Sequence, residues 1–123
     1  MASILIVDDE PTARILFKEM LAGRSHDIRV AENGDEAIAA CREKPADLLI
    51  TDLVMPKKNG IDLILELKKD HPDIRIIAVS GGGGISGRFE YLPIAKMIGA
   101  RTVLNKPFSA QVLRDAVDQA LAN

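Results

Sequence analysis

Five short apolar runs alternate with five stretches of helical period along this chain. Ser3 to Val7, Asp27 to Ala31, Leu48 to Asp52, Ile74 to Val79 and Thr102 to Asn105 are rich in β-branched and aliphatic residues, and each is bounded by turn residues. Runs of this length and composition predict strands, most of them buried on both faces. Between them, apolar residues recur at three- and four-residue spacing. Pro11 suits the first turn of a first helix, whose face is Ala13, Leu16, Phe17, Met20 and Leu21, with Gly23 as its C-cap. Asn33-Gly34-Asp35-Glu36 opens a second helix with Ala37, Ile38 and Cys41 inward, and Pro45 ends it. Gly60 opens a third, stepping through Ile61, Ile64, Leu65 and Lys68 to a stop at Asp70-His71-Pro72-Asp73. A fourth runs from Pro93 to a close at Gly99. The fifth is capped by Ser109 and has the clearest period: Val112, Leu113, Ala116, Val117, Ala120, Leu121. The glycine-dense stretch Gly81 to about Glu90 reads as a mobile loop, because ordering glycine costs the most backbone entropy.

Strict alternation of apolar strands and amphipathic helices argues for an α/β fold with a parallel sheet covered on both faces. Right-handed crossovers leave few topologies. The expectation is a flavodoxin-like, doubly wound five-stranded sheet in the order 2-1-3-4-5 with five helices.

Composition narrows the function classes. At 123 residues, 47% hydrophobic and 28% charged, the chain fits one domain spanning 1–123. A formal net charge of -2 with scattered basic residues excludes a sequence-independent grip on nucleic acid or on an anionic membrane. The single cysteine, Cys41, forbids an internal disulfide and fits a reducing compartment. No apolar run is long enough to span a membrane and no secretory leader precedes the first strand, so the expected location is cytoplasmic.

The chemistry collects where strands end. The first strand runs into Asp8, Asp9 and Glu10, the third ends in Asp52, the fourth in Ser80, and the fifth is followed by Lys106. Taken singly, these residues are more often caps, turn residues and solvated charges. In a doubly wound sheet, however, all four ends open on one rim. Three carboxylates there repel one another, and a divalent cation offsets that repulsion. Hard oxygen ligands favour magnesium, with manganese as a substitute, and a neighbouring lysine and hydroxyl suit a phosphoryl group. The constellation reads as metal-assisted phosphoryl transfer with an aspartate as acceptor.

In this order and on these elements, Asp8-Asp9, Asp52, Ser80 and Lys106-Pro107-Phe108 resemble the receiver domain of bacterial two-component response regulators, over essentially the whole chain. The resemblance implies that Asp52 is the phosphoacceptor, taking its phosphoryl group from a sensor histidine kinase or a histidine phosphotransfer protein. Asp9 becomes a direct metal ligand, Asp8 a water-mediated one, and the backbone carbonyl of Val54 another. Lys106 pairs with a phosphoryl oxygen and Ser80 hydrogen-bonds a second. The Lys106–Pro107 bond is expected to be cis.

The chain departs from the family's usual pattern in two places. Val103 stands where many receivers carry a Tyr or Phe, and the glycine run lengthens the loop after Ser80. Two other classes compete with this reading. Gly82, Gly84 and Gly87 satisfy the dinucleotide-binding spacing, but at the fourth strand and without an acidic residue at the end of the next. An aspartyl phosphatase needs an acid/base residue two positions past its nucleophile, where this chain has the apolar Val54. The resulting expectation is a single-domain response regulator that is a switch rather than an enzyme. Beyond self-catalysed phosphorylation and dephosphorylation, it signals through a downstream protein target. It makes no direct contact with nucleic acid or membrane, and is a monomer or a weak phosphorylation-dependent dimer.

Overall fold

The computed structural model describes residues 2–55, 59–80 and 93–122. In chain order these form β1 (Ser3–Val7), α1 (Pro11–Met20), β2 (Asp27–Ala31), α2 (Gly34–Glu43), β3 (Leu48–Asp52), α3 (Gly60–Asp70), β4 (Arg75–Ser80), α4 (helical at 93–97), β5 (Thr102–Asn105) and α5 (Ala110–Ala122). The five strands make one parallel sheet in the order β2-β1-β3-β4-β5, as the alternation predicts. The expected loop over Gly81 to Glu90, and with it Gly82, Gly84 and Gly87, lies outside the described residues. Among the described residues, no helix is long and apolar enough to cross a membrane.

Strand periodicity divides the core in two. Every residue of β1 and β3 is buried. Successive side chains point to opposite faces. Ile4, Ile6, Leu48, Ile50, Ile77 and Val79 therefore meet Phe17 and Leu21 from the α1 side and Leu113, Ala116 and Val117 of α5. Leu5, Val7, Leu49, Ile76 and Ala78 point the other way, against Ile38 and Cys41 of α2, Leu63, Ile64 and Leu67 of α3, and Ala95 of α4. Cys41 is fully enclosed in that second layer, and burial pushes its thiol above the ordinary pKa, so it is packing rather than a reactive group.

Helix ends follow local chemistry. Asn33 caps α2 by accepting the Glu36 N–H at 2.9 Å, and the Glu36 carboxylate accepts the Glu32 N–H in return. Asn59 caps α3 through the Asp62 N–H, and Ser109 caps α5 through the Val112 N–H. Gly99 sits at φ +126 after α4, in the conformation its closing role requires. Gly23 differs from expectation. The α1 helix ends at Met20 with Leu21 as its C-cap, and Gly23 takes its positive φ of 87 two residues later in the following turn.

Three predicted helix faces are rotated in detail. The buried stripe of α3 is Gly60, Leu63, Ile64 and Leu67, leaving Leu65 50% exposed. Leu16 and Val112 likewise face outward at 48% and 44%. Each helix has apolar residues on two adjoining faces, and periodicity alone does not rank them. Leu63→Ala is expected to destabilise the protein by about 2–5 kcal/mol in urea unfolding. Leu65→Ala should fall within about 0.5 kcal/mol of the parent. Equal losses at the two positions would place the buried stripe of α3 elsewhere.

Candidate functional site

The register of the sheet brings four strand ends to one rim. Val7 lies opposite both Ala31 and Thr51, Asp52 opposite Val79, and Ser80 opposite Asn105. Beyond β1, the Asp8 N–H still reaches the Ala31 carbonyl at 3.2 Å, extending the pairing by one residue. The Asp8 side chain then turns inward and is fully buried. Its Oδ1 accepts the Glu10 N–H at 2.9 Å, and its backbone carbonyl is held by the Arg14 guanidinium at 2.6 Å. The acidic triplet therefore does not cap α1: Glu10 stands at the cap position without a side-chain bond.

Asp52 ends β3 at 8% exposure. The Val54 N–H donates to its Oδ1 at 3.2 Å, and the Thr51 hydroxyl donates to its backbone carbonyl at 2.9 Å. Gly60 fixes the return of the chain. A Cβ there would stand 2.4 Å from the Asp52 carbonyl oxygen and 2.7 Å from the Leu53 Cα, so this close approach admits glycine only. The Gly60 N–H closes the loop on the Leu53 carbonyl at 2.9 Å.

Lys106 joins the two buried carboxylates. Its Nζ lies 3.0 Å from Asp8 Oδ2 and 3.5 Å from Asp52 Oδ2. Its backbone is set by the Lys106 N–H donating to the Ser80 carbonyl at 2.8 Å, and the Lys106–Pro107 bond is cis, as expected. Its ammonium also stands 5.8 Å from the centroid of the Phe17 ring, which stacks on Phe108 at 5.7 Å and 4° between planes. Asp9 is exposed beside this group, and carboxylate oxygens of Asp8, Asp9 and Asp52 lie within 4.8 Å of one another. Ser80 is buried at the same rim, whereas Val54 faces outward with its peptide against Asp52.

Burial dominates the electrostatics of Asp52. It raises the Asp52 pKa above the ordinary carboxylate value, aided by the charge of Asp8 and opposed by Lys106 and the Val54 N–H. Lys106 is desolvated too, but the hydrogen bond to Asp8 and the charges of Asp52 and Asp8 outweigh burial and raise its pKa. The site is thus a pocket of anionic oxygens neutralised in part by one ammonium. The residues present fit a hard divalent cation: three carboxylates converge, and Asp9 is open to solvent. Sequence reasoning found the three carboxylates, Ser80 and Lys106. It missed Arg14, Gly60 and the Phe17–Phe108 stack. Of these only Gly60 leaves a signal, as a glycine at the first position of a helix.

The pattern of the response regulator receiver domain matches residues 4–118. The chain belongs to that family. It is 34% identical to protein PilH of Pseudomonas aeruginosa, covering 99% of both proteins. It is 35% identical to the DNA-binding transcriptional regulator NtrC of Azospirillum brasilense over 98% of the chain, but spans only 24% of that protein. A receiver domain structure from Clostridium thermocellum superimposes with a TM-score of 0.89 at 31% identity, covering 99% of this chain and 95% of that one. As a receiver domain, the chain belongs to two-component signalling, in which such domains act as phosphoacceptor switches partnered by histidine kinases or phosphotransfer proteins.

The raised Asp52 pKa has a sign that can be tested on this receiver. A carboxyl whose pKa is higher folded than unfolded contributes most stability below its unfolded value, and that contribution is lost as pH rises through the folded value. In metal-free buffer at pH 7, Asp52→Asn is therefore expected to melt a few degrees Celsius higher than the parent. The gap should narrow as the pH is lowered toward about 4 and the parent carboxyl protonates. An unchanged or lower melting temperature at pH 7 would show that Lys106 outweighs the cost of burying the charge.

Proposed function

We propose that Asp52 is the phosphoacceptor of this receiver, with Asp8, Asp9, Asp52 and the Val54 carbonyl holding magnesium (or manganese). The observation that supports this most directly is the placement of Asp52. It is a rigidly mounted, nearly buried carboxylate with one oxygen tied to a backbone N–H and the other near a lysine, and it belongs to a three-carboxylate cluster. In transfer from a phosphohistidine, an Asp52 oxygen forms the new bond to phosphorus as the phosphorus–nitrogen bond breaks. The imidazole leaves with that electron pair and takes up a proton.

The chain's own groups divide the work. Asp8 and Asp9 set the position of the cation, which when bound neutralises the oxygens brought together in transfer. The Val54 peptide orients the Asp52 oxygen, and β3 keeps the carboxylate from retreating. Lys106 pairs with a phosphoryl oxygen, exchanging one anionic partner for another at short range. The Ser80 hydroxyl accompanies it as a donor to a second oxygen. The phosphoryl donor is a sensor histidine kinase or a histidine phosphotransfer protein, and the output is a change in contacts with a downstream protein.

Incubation with acetyl phosphate and magnesium, read by intact mass, is expected to add one phosphoryl group. Asp52→Ala should remove the gain, and Lys106→Ala should slow it about 10²-fold while leaving the fold intact by circular dichroism. Beryllofluoride with magnesium should shift the amide signals of residues 52–55, 80 and 106 in the parent but not in Asp52→Ala. A mass gain that persists in Asp52→Ala would move the acceptor elsewhere.

A further inference from the structure

Arg14 meets the carboxylate cluster through its backbone. The Arg14 Nη1 donates to the backbone carbonyl of Asp8 at 2.6 Å, a short bond of the charge-assisted kind. Two ordinary reasons for a cation at this position fail. Arg14 is the fourth residue of α1, close to the positive end of the helix dipole, and the first turn holds no acidic residue to pair with it. Its positive charge also works against a second cation among the oxygens of Asp8, Asp9 and Asp52.

What the bond does is fix one peptide plane. Asp8 is locked on its own account. It is fully buried, its Oδ1 accepts the Glu10 N–H at 2.9 Å, its Oδ2 faces the Lys106 Nζ at 3.0 Å, and its N–H reaches the Ala31 carbonyl at 3.2 Å. Asp9 is the reverse. It is exposed, and among the described residues its carboxylate has no hydrogen-bond or ion-pair partner. Its direction is therefore set through the backbone. The Asp8–Asp9 peptide is planar, so an anchored Asp8 carbonyl also fixes the Asp9 N–H and the placement of the Asp9 Cα.

We infer that Arg14 is a positioning residue for the cation: by holding the Asp8 carbonyl it sets where the Asp9 carboxylate stands. The inference rests on the reading of Asp9 as a metal ligand. Magnesium keeps to near-ideal octahedral geometry, so a ligand carried on a loosened loop costs affinity. The sign of the effect separates this role from charge alone. Loss of a nearby positive charge favours a bound divalent cation, whereas loss of an anchor behind a ligand weakens its binding.

Magnesium chloride titrated at constant ionic strength, followed by amide NMR, tests the assignment. In the parent, saturable shifts are expected at Asp8, Asp9 and Asp52. Arg14→Met keeps the length of the side chain but removes its donors and its charge, and is expected to weaken magnesium affinity about tenfold. Arg114→Met is the matched control. Arg114 Nε donates to the Met20 carbonyl at 2.7 Å, at the other end of α1, and its loss should leave magnesium affinity unchanged. Arg14→Met binding magnesium as tightly as the parent, or more tightly, would overturn the inference while leaving the metal site in place. An equal loss in Arg114→Met would do the same, by showing a general loosening of α1. Absence of saturable shifts in the parent would remove the metal reading and this inference with it.

Discussion

One ammonium shared between two buried carboxylates sets the terms for the rest of the molecule. Lys106 reaches both Asp8 and Asp52 only because β1, β3 and β5 end at the same height, and they do so only because the sheet pairs in register. Two carboxylates at low exposure without a counter-charge would protonate or draw water inward. β1 and β3, buried throughout, cannot shift to relieve that cost. The cationic partner therefore answers an electrostatic cost that burial imposes at this rim, and Lys106 is held between the two carboxylates.

The supports around that pair come from elements far apart in sequence. Arg14 pins the carbonyl of Asp8 from the second turn of α1, while the Glu10 N–H fixes one oxygen of the same residue. Phe17, from α1, stacks on Phe108, just beyond Lys106, so the lysine's ammonium stands over an aromatic wall. That wall continues into an apolar recess of about 300 Å³ shared by Leu16, Met20 and Pro107. The ionic centre is thus backed by the Phe17 side of the core and faces solvent through Asp9.

Much of this arrangement was legible in the residues themselves. The limits of β1 and β3 came through because parallel strands buried on both faces are written as unbroken apolar runs, while the partly exposed β2 and β5 were marked by turn residues on either side. β1, β2, β3 and β5 have the expected bounds, and β4 starts one residue late, at Arg75. Asp8, Asp9, Asp52, Ser80 and Lys106 could be found because strand ends are where such sheets gather polar groups. Helix faces were harder. Leu16, Leu65 and Val112 each satisfy a helical period, and only the direction of the neighbouring sheet decides that they face outward. The Phe17–Phe108 stack and the Lys68–Gly99 contact depend on packing between distant segments, which no local pattern encodes. Val103 shows the converse. Its departure from the family's aromatic was visible at once, and it packs at the margin of the α2–α3 core rather than in the layer that holds Phe17 and Phe108.

Gly60 gives Asp52 a fixed mounting. With no room for even a methyl group between the first turn of α3 and the Asp52 carbonyl, the helix and the strand end meet backbone to backbone. Asp52 cannot move toward α3, and α3 cannot advance along its axis, without a collision of main-chain atoms. In mechanical terms this side of the rim is an abutment: a force generated at the Asp52 carboxylate is resisted there by main-chain atoms rather than absorbed by a side chain.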